Sequence, residues 1–346
     1  MYDNFDNFDE QPKEPVMTED EKKAHKKIFS RIFFAFFAYM AITYCISVAT
    51  SFVLHAIDKN LLDNNNFIMI LSAVIEYVIA LPILFLMLKK IPKQAPTTSP
   101  IKIRTFWKYA TVSVFFMYVG NYISSYLMFS IEQALGKAPE NAVNTMLDNT
   151  SFVLSLVIAG IIGPIIEEIM FRKWFTDRLT PYGDKIAIFV PALIFALFHG
   201  NFYQFFYAFL LGMTFSYIYV RTGKLIYTCI LHIFINVFFG VLPSFFLSGF
   251  DLEEFIELTE QGTISEAYLQ TNQGPLIYLS IYSIAMMLML SLGIFHLIRN
   301  VRNIVLNKGS TKLPKGEGAD IIFFNVGAIL LIAVCLIFMA INTFDI

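Results

Sequence analysis

Residues 153–172 read Val-Leu-Ser-Leu-Val-Ile-Ala-Gly-Ile-Ile-Gly-Pro-Ile-Ile-Glu-Glu-Ile-Met-Phe-Arg. A ten-residue run without charge, 153–162, leads into a Gly-Pro step and then two adjacent carboxylates. A run of this kind is long enough to cross much of a bilayer, where a charged side chain costs on the order of 2.5–3.5 kcal/mol on insertion scales. The surrounding chain has the same character. Of its 346 residues 57% are hydrophobic and only 15% charged, against about 25% charged in ordinary soluble domains. A soluble enzyme is excluded, and the net charge of −2 leaves no basic footprint for nucleic acid. Cys45, Cys229 and Cys335 lie singly in apolar runs, so they form neither a disulfide framework nor a zinc ribbon.

Working outward, a spanning helix needs roughly 20 mostly apolar residues. Candidate runs occupy 29–56, 67–88, 107–131, 151–171, 186–199, 202–220, 225–249, 276–298 and 321–343. The fold expected is an all-α polytopic membrane bundle of about eight to nine transmembrane helices. The run 186–199 is too short to span, and His199-Gly200-Asn201 after it reads as a tight turn held inside protein. With the N-terminus in the cytoplasm, 23 of the 25 Lys and Arg residues fall in five internal regions: the tail to Arg31, 89–108, 172–185, 221–224 and 299–315. That bias predicts a multi-pass protein with its N-terminus inside.

The chain then divides into a polar cytoplasmic tail (1–28), N-terminal transmembrane helices (29–149), a central helical core (150–249), an acidic extracytoplasmic loop (250–275) and C-terminal transmembrane helices (276–346). The tail lacks the apolar region and cleavage site of a signal peptide and is expected to be disordered. Gly and Pro in 305–319 predict a flexible cytoplasmic linker.

Ionisable residues at bilayer depth are functional candidates by default. They are Glu76, Glu167, Glu168, His199, His232 and, near a helix end, His296, with Asn121 and Asn236 as uncharged companions. Glu168 and Arg172 are i, i+4 and can pair on one face. Glu167, about 100° around the helix, is left available. A helix end with snorkelling Arg172 and Lys173 would account for the arginine, but not for two carboxylates in this place. Phe195 and His199 share a face, as do His232 and Asn236. A single histidine is more often a satisfied core residue, and a single asparagine often bonds a neighbouring helix.

Together, a carboxylate, two imidazoles and an amide are the parts for activating water against a carbonyl. Glu167 would be the base, His199 would orient or share the proton, and His232 with Asn236 would stabilise the oxyanion. The set Glu167, His199 and His232 is also a possible hydrolytic zinc set. The soluble His-Glu-x-x-His spacing and the Gly-x-Ser-x-Gly elbow are absent. By depth from the nearest Lys or Arg, Glu167, His232 and His199 lie roughly 8, 12 and 21 Å in, which predicts a cavity in the cytoplasmic half.

The order Glu-Glu-x-x-x-Arg at 167–172, Phe-x-x-x-His at 195–199 and His-x-x-x-Asn at 232–236, each on its own apolar helix, resembles the CPBP family of CAAX-protease and bacteriocin-processing membrane proteins. The resemblance covers about 150–240 and includes Gly163-Pro164 upstream and Phe171 before Arg172. It implies an intramembrane endopeptidase acting on a membrane-associated protein or peptide. Glu167 and His199 would act on water, Glu168 and Arg172 would support them, and His232 and Asn236 would hold the oxyanion. The cofactor would be a divalent metal such as zinc, or none under a glutamate mechanism. The abundance of Phe, Ile, Lys and Asn suggests a Gram-positive bacterial membrane. Two other readings compete: a non-catalytic immunity or partner-binding protein on the same scaffold, and a transporter relaying protons through Glu76 and Glu167. No paired broken helices in matching halves favour the transporter.

Overall fold

Thr18 opens the first helix. Its side chain accepts from the Glu21 N–H at 3.3 Å while Glu21 accepts from the Thr18 N–H at 2.7 Å, a reciprocal cap. Helix α1 therefore starts at Glu19 and runs to Ile57, ten residues earlier than hydrophobicity alone predicts. The computed structural model describes residues 17–137, 147 and 150–344. The expected disordered tail lies outside the described residues as far as residue 16, and from Glu19 onward it is helix.

The further helices are α2 (Asn65–Leu88), α3 (Ile103–Leu135), α4 (Phe152–Tyr182), α5 (Asp184–Phe198), α6 (Phe202–Thr222), α7 (Leu225–Phe246), α8 (Leu252–Gln261), α9 (Glu266–Thr271), α10 (Gln273–Asn303), α11 (Gly318–Phe323) and α12 (Val326–Phe344). The protein is an all-α membrane bundle. Among the described residues seven helices (α1, α2, α3, α4, α7, α10 and α12) are long and apolar enough to cross a bilayer. The remaining two apolar runs form the 15-residue α5 and the 21-residue α6. At about 22 Å, α5 stops short of a full crossing. The acidic segment expected as a loop carries α8 and α9, neither of which buries a residue.

Three of the spanning helices widen to a π turn just before a proline. The segments are Val74–Ala80 before Pro82, Leu156–Ile162 before Pro164 and Val237–Val241 before Pro243. A proline ring inside a helix clashes with the carbonyl four residues back and offers no N–H. In each case that carbonyl, of Val78, Gly160 or Phe239, lies within the widened turn, which makes room for the ring. Two of these turns reach the candidate site.

Packing runs in two cores. One gathers α1, α2, α4, α5 and α12 around Phe33, Phe36, Phe171, Phe175 and Phe195; the other joins α3, α6 and α7 around Val114, Phe215 and Leu231. Helix α6 contributes to both and packs against α3 and α5. Helix α12 lies so close to α1 that a Cβ at Gly327 would collide with the Ser30 carbonyl. Helix α10 lies along α3 and is the least buried span, with Ile281, Ile284 and Met287 turned outward as lipid-facing residues.

The Lys- and Arg-rich regions meet at one end of the bundle. Lys22 pairs with Glu317 at 2.6 Å and Lys26 with Asp320 at 2.9 Å. His25 bonds the Tyr182 hydroxyl at 2.8 Å, and the Gln94 and Ser99 N–H groups donate to the Asp177 and Thr222 carbonyls. The linker is not free. The Asp184 N–H donates to the Asn307 carbonyl at 3.0 Å, the Asn307 N–H returns to the Asp184 carboxylate at 2.8 Å, and the Thr311 N–H donates to the Pro181 carbonyl at 2.9 Å. Glycine content predicted flexibility here. Gly309 instead lies against the 181–183 backbone, where a side chain would not fit.

Candidate active site

Glu167 and Glu168 sit midway along α4, just beyond the proline-relieved turn. Glu168 is fully buried and ionically satisfied from two sides. Its Oε2 lies 3.2 Å from Arg172 Nε and its Oε1 3.0 Å from His232 Nδ1. A carboxylate only accepts, so the Nδ1 proton points to Glu168. The other imidazole nitrogen, Nε2, faces Glu167 Oε2 at 3.5 Å. His232 thus links the two carboxylates. Arg172 is also fully buried, its guanidinium 4.8 Å from the Phe195 ring and 5.5 Å from Phe215. The expected i, i+4 pair is present and lies in the protein core, not at the interface.

Glu167 faces the other way, into a cavity of about 410 Å³. His199 lines the same cavity from the end of α5. Its Nδ1 lies 2.8 Å from the Phe195 carbonyl, which can only accept, so Nδ1 carries the proton and Nε2 is the basic nitrogen. The turn after it is tight as expected. Gly200 takes a left-handed conformation, φ +63°, that other residues rarely adopt. The turn's carbonyls are satisfied from protein: Asn201 donates to His199 and Asn342 of α12 donates to Gly200, each at 2.8 Å.

Asn236 is engaged away from the cavity. Its side-chain amide donates to the Ala159 carbonyl at 3.0 Å. The reason lies in the π turn. The Gly163 N–H bonds Ile158, and the next donor in that register would be Pro164, which has none. Asn236 supplies the missing donor. Neither His232 nor Asn236 lines the cavity, so the two expected oxyanion groups do not meet there in this conformation. Among the described residues no group of three or more His, Cys, Asp or Glu side chains is disposed to hold a metal, so Glu167, His199 and His232 do not form a ligand shell as folded.

Of the residues without a motif, Glu76 lines the cavity and Asn121 is exposed on α3. His296 is accounted for by Thr111, 2.9 Å away. Sequence reasoning missed Tyr39, Tyr77 and Asn342, all of which line the cavity. Their only signal is a polar group within an apolar run, and tyrosine and asparagine are too common in such runs to stand out.

The cavity is not confined to the half nearer the Lys/Arg-rich end. Arg172, taken as an interface residue, is core, and α4 continues to Tyr182. Glu167 is ten residues from Asp177, about 15 Å along the helix, and Asn342 is sixteen residues into α12, about 24 Å. In a core about 30 Å thick the carboxylate is therefore near mid-membrane, and the cavity extends away from the basic end.

Residues 149–238 match the family model described as Type II CAAX prenyl endopeptidase Rce1-like. The matched segment holds all seven residues of the three motifs, so the family resemblance is shown on the stretch that carries the candidate site. UPF0177 protein YxdF of Lactococcus lactis subsp. lactis (strain IL1403) is 26% identical over 148 residues, 41% of this chain and 81% of that protein. The protein named Putative membrane peptidase YdiL, of Bacillus subtilis (strain 168), is 25% identical over 192 residues, 54% of this chain and 75% of that protein. No solved structure matches. These likenesses support a membrane protease at the level of the family.

Proposed function

We propose that the chain is an intramembrane endopeptidase in which Glu167 and His199 activate water against a peptide carbonyl of a membrane-associated substrate. The observation that carries the reading is that these two side chains, from different helices, line one cavity inside the bundle. Glu167 takes a proton from water as the water oxygen bonds to the carbonyl carbon. The C–N bond then breaks, and the proton passes to the leaving amine. His199, its Nδ1 fixed by Phe195, offers Nε2 to orient the water. Glu168 and Arg172 hold His232 in place behind Glu167. His232 bridges Glu168 and Glu167 and acts on the reacting carboxylate from behind, outside the cavity where the oxyanion would form. Asn236 acts at one remove, by fixing the helix turn before Pro164.

The reading takes the basic end of the bundle as cytoplasmic in a bacterial membrane. The test compares membrane-protein N-termini in cells expressing the natural chain or Glu167→Gln at matched levels. New termini that vanish with the substitution are expected. Identical termini, with both proteins inserted and folded, would overturn it.

A further inference from the structure

The cavity has a charge composition that water activation does not account for. Glu76 lines it together with Glu167, and no lysine or arginine is found among the described residues that line it. Glu167 faces His232, and the charge of Glu168 is met by Arg172. Glu76 has neither a hydrogen bond nor an ion pair among the described residues. It stands on α2, outside the segment shared with the family, in the π turn that makes room for Pro82. A carboxyl group kept at bilayer depth without a partner is costly and is normally paired.

A second group there also lacks a partner. Tyr39 is only 8% exposed and lines the cavity, and its hydroxyl has no hydrogen-bond partner among the described residues. Buried tyrosine hydroxyls usually find one. A carboxyl group that a bound cation would hold ionised, and a hydroxyl needing an acceptor, suit a cationic peptide: the charge would meet Glu76 and a backbone carbonyl would accept from Tyr39. A free C-terminal carboxylate would meet two like charges.

We infer that the cavity selects peptides by a positively charged group, a Lys or Arg side chain or a free N-terminal amine, seated against Glu76. The inference rests on the endopeptidase reading for the ligand being a substrate, but binding can be measured without cleavage.

The probes are fluorescent leucine/alanine peptides carrying one central Lys, Gln or Glu, with acetylated or free N-termini and amidated C-termini. They are titrated into the full chain in detergent. The Lys peptide is expected to bind about tenfold tighter than the Gln peptide, a difference of about 1.4 kcal/mol, and the Glu peptide more weakly than either. Glu76→Gln should bring the three within about twofold, and Glu76→Lys should reverse the order. In Glu167→Gln the preference should persist. A preference confined to free N-termini assigns the amine as the bound group; one that survives acetylation assigns the side chain. Equal binding of Lys and Gln peptides, no binding at all, or a preference retained in a folded Glu76→Gln protein would overturn the inference. A Glu76-dependent preference without cleavage in any of these peptides, and with no N-termini dependent on Glu167 in cells, would overturn only the endopeptidase reading.

Discussion

The Arg172 guanidinium has no contact with solvent; its Nε faces the Glu168 carboxylate, and among the described residues none of its three nitrogens has a hydrogen-bond partner. Its charge is balanced by Glu168 and by the faces of Phe195 and Phe215. Removing one member of such a pair strands the other, at about 3–5 kcal/mol. Arg172→Met should therefore lower the melting temperature in detergent sharply, and the double variant Arg172→Met, Glu168→Gln should recover much of the loss. Hydrolysis should stay impaired in the double variant, because His232 loses its charged anchor. Asn236 makes a different prediction. Asn236→Leu orphans the Ala159 carbonyl and should cost about 1–3 kcal/mol, seen as a lower unfolding midpoint. An asparagine acting only on the oxyanion would lose activity with the midpoint unchanged.

At the scale of the element, a proline in a spanning helix forces the backbone to open, and the freed carbonyl must be satisfied within the protein. This brings α7 to α4 and fixes His232 opposite Glu167. Pro164→Ala should restore the Gly160 hydrogen bond, narrow the turn and move Glu167 away from His232. Hydrolysis should fall while the protein stays folded, as measured by melting and peptide turnover together. The other movable element is the turn at Gly200. Asn342 holds its carbonyl at 2.8 Å from α12, far from the family segment in sequence. Asn342→Leu removes the latch on the backbone beside His199. About 10- to 100-fold is expected in kcat with little change in KM, since a small misplacement suffices. Asn342→Gln, which keeps the donor, should recover part of the rate, whereas Asn342→Asp should not.

Across the whole molecule, the five basic regions converge on one end and the acidic helices α8 and α9 follow α7 from the other. A cysteine at Lys308 should react with a membrane-impermeant maleimide only from the cytoplasmic side, and one at Glu257 only from outside. Reversed labelling would invert the topology and leave the fold unchanged. The arrangement sets Glu76 and Glu167 in one cavity inside the bundle, where two charges act on one another more strongly than in bulk water.

How much of this was legible before folding follows from the range of each signal. Apolar length marks a spanning helix, and i, i+4 spacing pairs Glu168 with Arg172, because both are local properties of one segment. The three motifs marked candidate residues because each carries a costly polar group in an apolar run; of these, Glu167 and His199 line one cavity. Nothing local shows that Asn236 repairs a carbonyl 77 residues away, that Glu76 and Tyr39 share the cavity of Glu167, or that Asn342 holds the turn beside His199. The glycine-rich linker misled for the same reason: glycine permits flexibility, and it equally permits the close backbone contact that docks Gly309 on the 181–183 turn. Composition and spacing alone established an all-α membrane bundle and picked out its costly polar residues as candidates. Only the packing of helices distant in the chain decided which polar group meets which, because partner choice depends on crossings that no single segment encodes.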